Sequence, residues 1–250
     1  MLKGLYILDE KAYERIYGEQ ERSDIEEIVD IYAPVQTEKS VRSNLSLLDQ
    51  AEVIFSGWGG PTMDGEFLEA APNLQAVFYG AGSIKHIVTP DFWDRDILIT
   101  SAYAANGIPV AEFTLSQILF CLKLGWQFAI SIKQEGKYPD IKKTVPGTYK
   151  STVGIISLGM IGRYVCEMLK QFDINVIAYD PYIKEETAKE LDVKLCSLDE
   201  LFIRSDVVSL HTPWLKETEG MITGEHFAAM KPNASFINTA RGAVVREDEM

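Results

Sequence analysis

Short apolar runs and helix-like stretches alternate along almost the whole chain, and that alternation restricts the fold more than any other feature. In the first hundred residues, segments 5–8, 31–33, 53–55, 76–79 and 97–100 are apolar, too short for helices, and end in turn residues, which marks them as strands. Segments 41–50 and 65–71 between them carry helical spacing. The pattern restarts after Ser151. Strands are expected at 152–157, 175–179, 207–210 and 235–237, with helices at 160–172, near 198–204, and ending near Met230. Strand–helix–strand alternation of this kind predicts an α/β protein with parallel sheets covered by helices.

Between the two series lies the most apolar long stretch, 108–132. Proline fits a first helical turn because its missing N–H would be unpaired there, so Pro109 is expected to open a long helix. From Val110 to Ile132 apolar side chains fall on nearly all faces, Phe113, Ile118, Phe120, Trp126 and Ile130 among them. A helix apolar all round must be buried, in a large core or against another subunit. Glu112, Lys123 and Gln127 favour burial in protein over a membrane span. Segment 136–150, with Pro139, Pro146 and Gly147, reads as loop. The expected domains are therefore 1–104 and 105–250.

Two domains, or one and much of another, suit a chain of 250 residues. The formal net charge of −13 argues against nucleic-acid and anionic-membrane partners, which need a basic face. Cys121, Cys166 and Cys196 are odd in number and lack metal-ligand spacing. They read as reduced thiols of a cytoplasmic protein, and no metal site is expected. The first ten residues lack the apolar core of a signal peptide.

The most informative motif follows the apolar segment Val153-Gly154-Ile155-Ile156. The sequence Ser157-Leu158-Gly159-Met160-Ile161-Gly162 resembles the dinucleotide-binding fingerprint G-x-G-x-x-G, with Ser157 in the first glycine's place. Small residues are needed there so that the backbone can turn sharply and come close to a pyrophosphate resting on the helix N-terminus. Gly159 allows the close approach and Gly162 the packing of helix on strand. Ser157 carries a Cβ that restricts φ. Asp180 ends the next strand, 18 residues after Gly162, where a carboxylate meets the adenosine ribose. That acid would accept from the 2′-hydroxyl of NAD and repel a 2′-phosphate, so the expected cofactor is NAD.

From Gly154 onward the chain resembles the D-isomer-specific 2-hydroxyacid dehydrogenase family. The resemblance rests on Ser205-Asp206-Val207-Val208-Ser209-Leu210-His211-Thr212-Pro213 and on Met230-Lys231-Pro232-Asn233-Ala234-Ser235-Phe236-Ile237-Asn238-Thr239-Ala240-Arg241-Gly242. Val110-Ala111-Glu112-Phe113-Thr114-Leu115 resembles the family's first long helix. It implies a flavodoxin-like substrate domain joined to a Rossmann-type dinucleotide-binding domain, here C-terminally incomplete. It further implies that Met160 and Ile161 touch the cofactor diphosphate, and that His211, Thr212 and Pro213 line the cofactor pocket. Thr239, Ala240 and Arg241 would run beneath the nicotinamide. Arg241 matches the catalytic arginine, whose flat, permanently charged fork can bind a carboxylate and polarise the neighbouring carbonyl. The bland alternative for Arg241 is a salt bridge at a strand end.

Tyr79-Gly80-Ala81-Gly82-Ser83-Ile84 resembles the family loop whose amides hold the substrate carboxylate, with Gly82 and Ser83 as the expected contacts in a small anion-binding nest. The family often has a second glycine where Ile84 stands. Trp58 is expected to shape the substrate side-chain pocket. The family's acid–base histidine and its glutamate lie C-terminal to the arginine, and are expected beyond residue 250. His86, His211 and His226 do not stand in their context, and His226 reads as surface. The 250 residues alone are therefore expected to be inactive. The resulting expectation is an NAD-linked oxidoreductase of 2-keto and 2-hydroxy acids, homodimeric through the 109–132 helix. The alternative is an NAD-sensing, co-repressor-like module without significant turnover.

Overall fold

The computed structural model describes residues 1–138 and 145–250. The middle of the expected 136–150 loop, residues 139–144, lies outside the described residues. The chain forms two compact units, Met1–Asn106 and Gly107–Met250, dividing two residues beyond the expected 104/105 change.

In the first unit, elements follow in the order β1 (Leu2–Ile7), α1 (Glu10–Ile16), α2 (Glu19–Glu26), β2 (Val29–Ile31), α3 (Glu38–Ser43), β3 (Val53–Ser56), α4 (Gly65–Ala70), β4 (Ala76–Tyr79), α5 (Pro90–Trp93) and β5 (Leu98–Ser101). The five strands are parallel and stand in the order β2-β1-β3-β4-β5, the flavodoxin-like arrangement. Period-two alternation buries both faces. Leu5, Ile7 and Ile54 enter one core with Phe67 and Phe92, whereas Tyr6, Leu8, Val53 and Phe55 enter the other with Tyr17. Strand β2 lies two residues earlier than the expected 31–33, because Val29 and Ile31 pair with Leu2 and Gly4 of β1. The expected helix 41–50 breaks at Asn44, where α3 gives way to a 3-10 turn over Leu45–Gln50.

Helix α6 spans Tyr103–Leu122 and α7 spans Gly125–Glu135. This corrects the single helix opened by Pro109. Helix α6 begins six residues earlier, with the Asn106 N–H bonded to the Ala102 carbonyl at 2.9 Å, and Pro109 sits inside it. The helix stops where Leu124 takes a left-handed backbone, φ 54°, while burying its side chain. Within the single chain one face of this segment is buried and another exposed. Ala111, Thr114, Ile118, Cys121 and Leu122, at helical spacing, face the core, whereas Phe113, Phe120, Trp126, Ile130 and Ile132 are exposed. By length and apolarity α6 could cross a bilayer; its inner face packs with Val153, Ile155 and Val207 of the second unit's sheet.

That sheet is built from β6 (Ser151–Ile156), α8 (Met160–Leu169), β7 (Ile174–Tyr179), α9 (Glu185–Glu190), β8 (Lys194–Leu195), α10 (Leu198–Arg204), β9 (Val207–Leu210), α11 (Gly224–Ala228) and β10 (Ser235–Asn238). Its parallel strands stand in the order β10-β9-β6-β7-β8. Counted from β6, this is the Rossmann order 3-2-1-4-5. The direction of strand addition reverses between β6 and β9, so a crevice opens at their carboxyl ends.

Candidate functional site

The fingerprint turn lies at that crevice. Ser157 follows β6 with φ 74°, the left-handed region that glycine enters freely and a side chain resists. Three bonds hold it there. Its N–H donates to the Tyr179 carbonyl at 2.8 Å, and its hydroxyl lies 2.8 Å from that of Thr212. The Arg163 Nε donates to the neighbouring Leu158 carbonyl at 2.8 Å.

Gly159 and Gly162 have opposite reasons for being glycine. A Cβ on Gly162 would stand 2.1 Å from the Ser157 carbonyl oxygen, so helix and turn touch only because that atom is missing. A Cβ on Gly159 would meet nothing within 4 Å. The fold therefore leaves open space at Gly159. Helix α8 starts beside that space with no side-chain cap and no acid in its first turn. Its free amides and dipole favour an anion. Open space at the glycine together with an uncapped helix fits a diphosphate.

Asp180 accepts from the Leu158 N–H at 2.8 Å through Oδ2 and from the Tyr182 N–H at 2.9 Å through Oδ1. The carboxylate thus fastens the fingerprint turn to the end of β7. Each oxygen keeps a further lone pair for a ribose hydroxyl.

Beyond β9, Thr212 is buried and Pro213 exposed. The His211 imidazole lies 3.0 Å from the Ser209 hydroxyl through Nε2 and 3.5 Å from the Thr239 hydroxyl through Nδ1. Burial pushes its pKa down to about 4, so it is neutral near pH 7 and poorly suited to proton exchange. Thr239 continues to the buried Thr114 of α6, with the hydroxyls 3.2 Å apart. Sequence reasoning missed Ser209 and Thr114 as partners in this network. The only hint was the presence of both in family-like segments.

After β10, the Asn238 side chain straps the turn. Its Oδ1 accepts from the Ala240 N–H at 2.9 Å and its Nδ2 donates to the Arg241 carbonyl at 3.2 Å. Arg241 is exposed, and Nη1 donates to the Ala240 carbonyl at 2.7 Å. Among the described residues no carboxylate pairs with it, so the salt-bridge alternative has no partner. His226 is not a free surface residue. Its Nδ1 accepts from the Thr223 N–H at 3.0 Å, and its ring packs on Phe202.

In the first unit, Trp58 follows β3 and is 47% exposed. In the loop after β4, neither Gly80 nor Gly82 adopts a left-handed backbone. The N–H groups of Ala81, Gly82, Ser83 and Ile84 nonetheless meet no protein acceptor among the described residues, leaving a row of donors. Gly82 lies close to Asn106, whose Nδ2 would be 3.2 Å from a Cβ there.

Residues 117–250 match the family described as D-isomer specific 2-hydroxyacid dehydrogenase, NAD binding domain. Among curated relatives, D-3-phosphoglycerate dehydrogenase of Archaeoglobus fulgidus is 34% identical over 185 residues, covering 74% of this chain and 35% of the relative. Hydroxypyruvate reductase of Thermotoga maritima is 32% identical over 187 residues, covering 74% and 59%. The chain thus spans about a third of the length of the first of these relatives. A crystal structure of Aquifex aeolicus D-lactate dehydrogenase, complexed with NAD and lactic acid, superposes with TM-score 0.72 at 29% identity, covering 98% of this chain and 71% of that one. The NAD-complexed D-isomer specific 2-hydroxyacid dehydrogenase of Lactobacillus delbrueckii subsp. bulgaricus shares the fold at TM-score 0.80 and 22% identity, covering 98% and 72%. With the fingerprint crevice and these matches together, the chain belongs to the D-isomer specific 2-hydroxyacid dehydrogenase family, and its second unit is that family's NAD-binding domain.

Proposed function

We propose that the full-length protein interconverts 2-keto and 2-hydroxy acids with NAD. The observation that carries this reading is Arg241, an exposed guanidinium with no carboxylate partner among the described residues, strapped at the end of β10 by Asn238. A fork so placed can take a substrate carboxylate and polarise its carbonyl. In the first unit, taken by itself, the open amides of Gly82 and Ser83 would bind a carboxylate, and Trp58 would meet its carbon chain. Met160, Ile161 and the space over Gly159 would hold the diphosphate. Asp180 would take the ribose, and His211, Thr212, Pro213, Thr239 and Ala240 would border the rest of the dinucleotide. NAD supplies hydride exchange with the substrate's C2.

We place the protein in the cytoplasm as a homodimer, with no nucleic-acid or membrane partner. Its three free thiols and net charge of −13 support the first and last points. The exposed aromatic side of α6 and α7, with Phe113, Phe120 and Trp126, supports the dimer. A monomer mass in sedimentation would overturn that part.

The test is NADH absorbance with the full-length protein and a panel of 2-keto acids. At least one should consume NADH, and Arg241→Ala should lower turnover at least a hundredfold while NADH still binds. NADH binding without turnover of any acid would overturn the reading and favour a sensing module.

A further inference from the structure

One surface of the first unit bears on which 2-keto acid is used. At the carboxyl ends of β3, β4 and β5 lies a cleft of about 530 Å³, formed within Met1–Asn106. It adjoins the loop of open amides. Gly80 lines it, and so does Asn106, the residue next to Gly82. A carboxylate held on those amides would direct the rest of its molecule towards this cleft.

The walls are mostly hydrocarbon. Ile16, Ile25, Trp58 and Ala105 line them, together with the Tyr17 ring. The Tyr17 hydroxyl is already committed, donating at 2.8 Å to the Ser56 carbonyl and at 3.1 Å to that of Phe78. Burial pushes its pKa well up, so it adds no charge. Gly80 sets the fit on one side. A Cβ there would stand 2.2 Å from the Ile16 methyl, so helix α1 is pressed against the loop and Ile16 forms part of the wall.

Charge tells against an ionic occupant. Among the described lining residues the only cation is Arg15, against two carboxylates, Glu21 and Asp24. A phosphate needs several convergent donors or cations, and a cleft with a net negative rim repels it. Two curated relatives are named for phosphoglycerate and hydroxypyruvate, both with polar substituents. The lining of this cleft has a different chemistry.

We propose that the cleft of Trp58, Ile16 and Ile25 receives an uncharged, bulky apolar side chain, making a branched-chain or aromatic 2-keto acid the preferred substrate class. This rests on the function proposed above, in which the acid is bound by the amides of Gly82 and Ser83. Apolar groups of this size bring the preference through transfer from water, at about tenfold or more per well-packed carbon group. The volume of about 530 Å³ is enough for a benzyl or isobutyl group.

The test uses the full-length protein, NADH and five acids: glyoxylate, pyruvate, 4-methyl-2-oxopentanoate, phenylpyruvate and phosphohydroxypyruvate. kcat/KM for one of the two bulky apolar acids should exceed that for glyoxylate and for phosphohydroxypyruvate at least tenfold. Trp58→Ala should lower kcat/KM for the preferred acid about tenfold more than for glyoxylate, and Trp58→Phe should restore most of the difference. Glu21→Gln with Asp24→Asn should raise the relative rate on phosphohydroxypyruvate. Best turnover of glyoxylate, pyruvate or the phosphorylated acid would overturn the inference while leaving the reaction class intact. An equal loss on both acids in Trp58→Ala would also overturn it. If no acid consumed NADH, the proposed function itself would fail.

Discussion

At the scale of single residues, the turn after β6 is held in a conformation its own side chain opposes. A left-handed backbone costs a non-glycine residue roughly 1–2 kcal/mol. Ser157 accepts that cost, with its hydroxyl 2.8 Å from Thr212, a bond worth about 1 kcal/mol. Two substitutions separate these effects. Ser157→Ala keeps the strain and loses the bond, so the chain should unfold about 1 kcal/mol more easily. Ser157→Gly loses the bond and releases the strain, and should stay within about 1 kcal/mol of the parent. Denaturant melts rank the three; alanine as stable as glycine would mean the backbone at this position carries no strain. The motif pointed to a constrained φ here, but nothing in the spacing pointed to Thr212, 55 residues away, as the partner.

At the scale of elements, helix α8 is where the two fingerprint glycines divide their work. Gly162→Ala would force a Cβ to 2.1 Å from the Ser157 carbonyl, and overpacking of this kind costs about 1–3 kcal/mol. Gly159→Ala has open space and an ordinary φ of −69°, so the fold should lose under about 1 kcal/mol. Its NADH affinity should nonetheless fall at least tenfold, because the added methyl occupies the ligand's space. Melting and NADH titration of both variants make the comparison. A strongly destabilised Gly159→Ala with unchanged affinity would reverse the roles given to them. Helix α6 teaches the opposite lesson about legibility. Its apolar content was plain, but its limits were not. A proline at N1 and a proline six residues into a helix look alike in sequence, and the stop at Leu124 depends on burying that leucine in a left-handed turn.

At the scale of the whole molecule, acid should weaken the chain through the crevice. His211 is held neutral by burial, with a pKa of about 4 against an ordinary 6.5. Below pH 6.5 the unfolded chain binds a proton that the folded chain refuses until pH 4. Stability is therefore full above about 6.5 and falls as pH drops towards 4, by at most about 3 kcal/mol from this group. Denaturant unfolding at pH 7 and 4.5 should show that loss, smaller in His211→Asn. An identical loss in the variant would assign the acid sensitivity to other groups. Both sheets bury both faces, and that is why their strands stood out as short apolar runs. Local chemistry alone determined the alternation of strands and helices, though not all their limits, where the dinucleotide turn lies, and that an acid closes the following strand, because burial periodicity and turn geometry are written within a few residues. Only the tertiary structure decided the strand orders, the Asp180 grip on Leu158, the Thr114–Thr239 pair across 125 residues, and the cleft that gathers residues 15 to 106. Those depend on which surfaces pack together after the chain has crossed the sheet, and neither spacing nor periodicity carries that information.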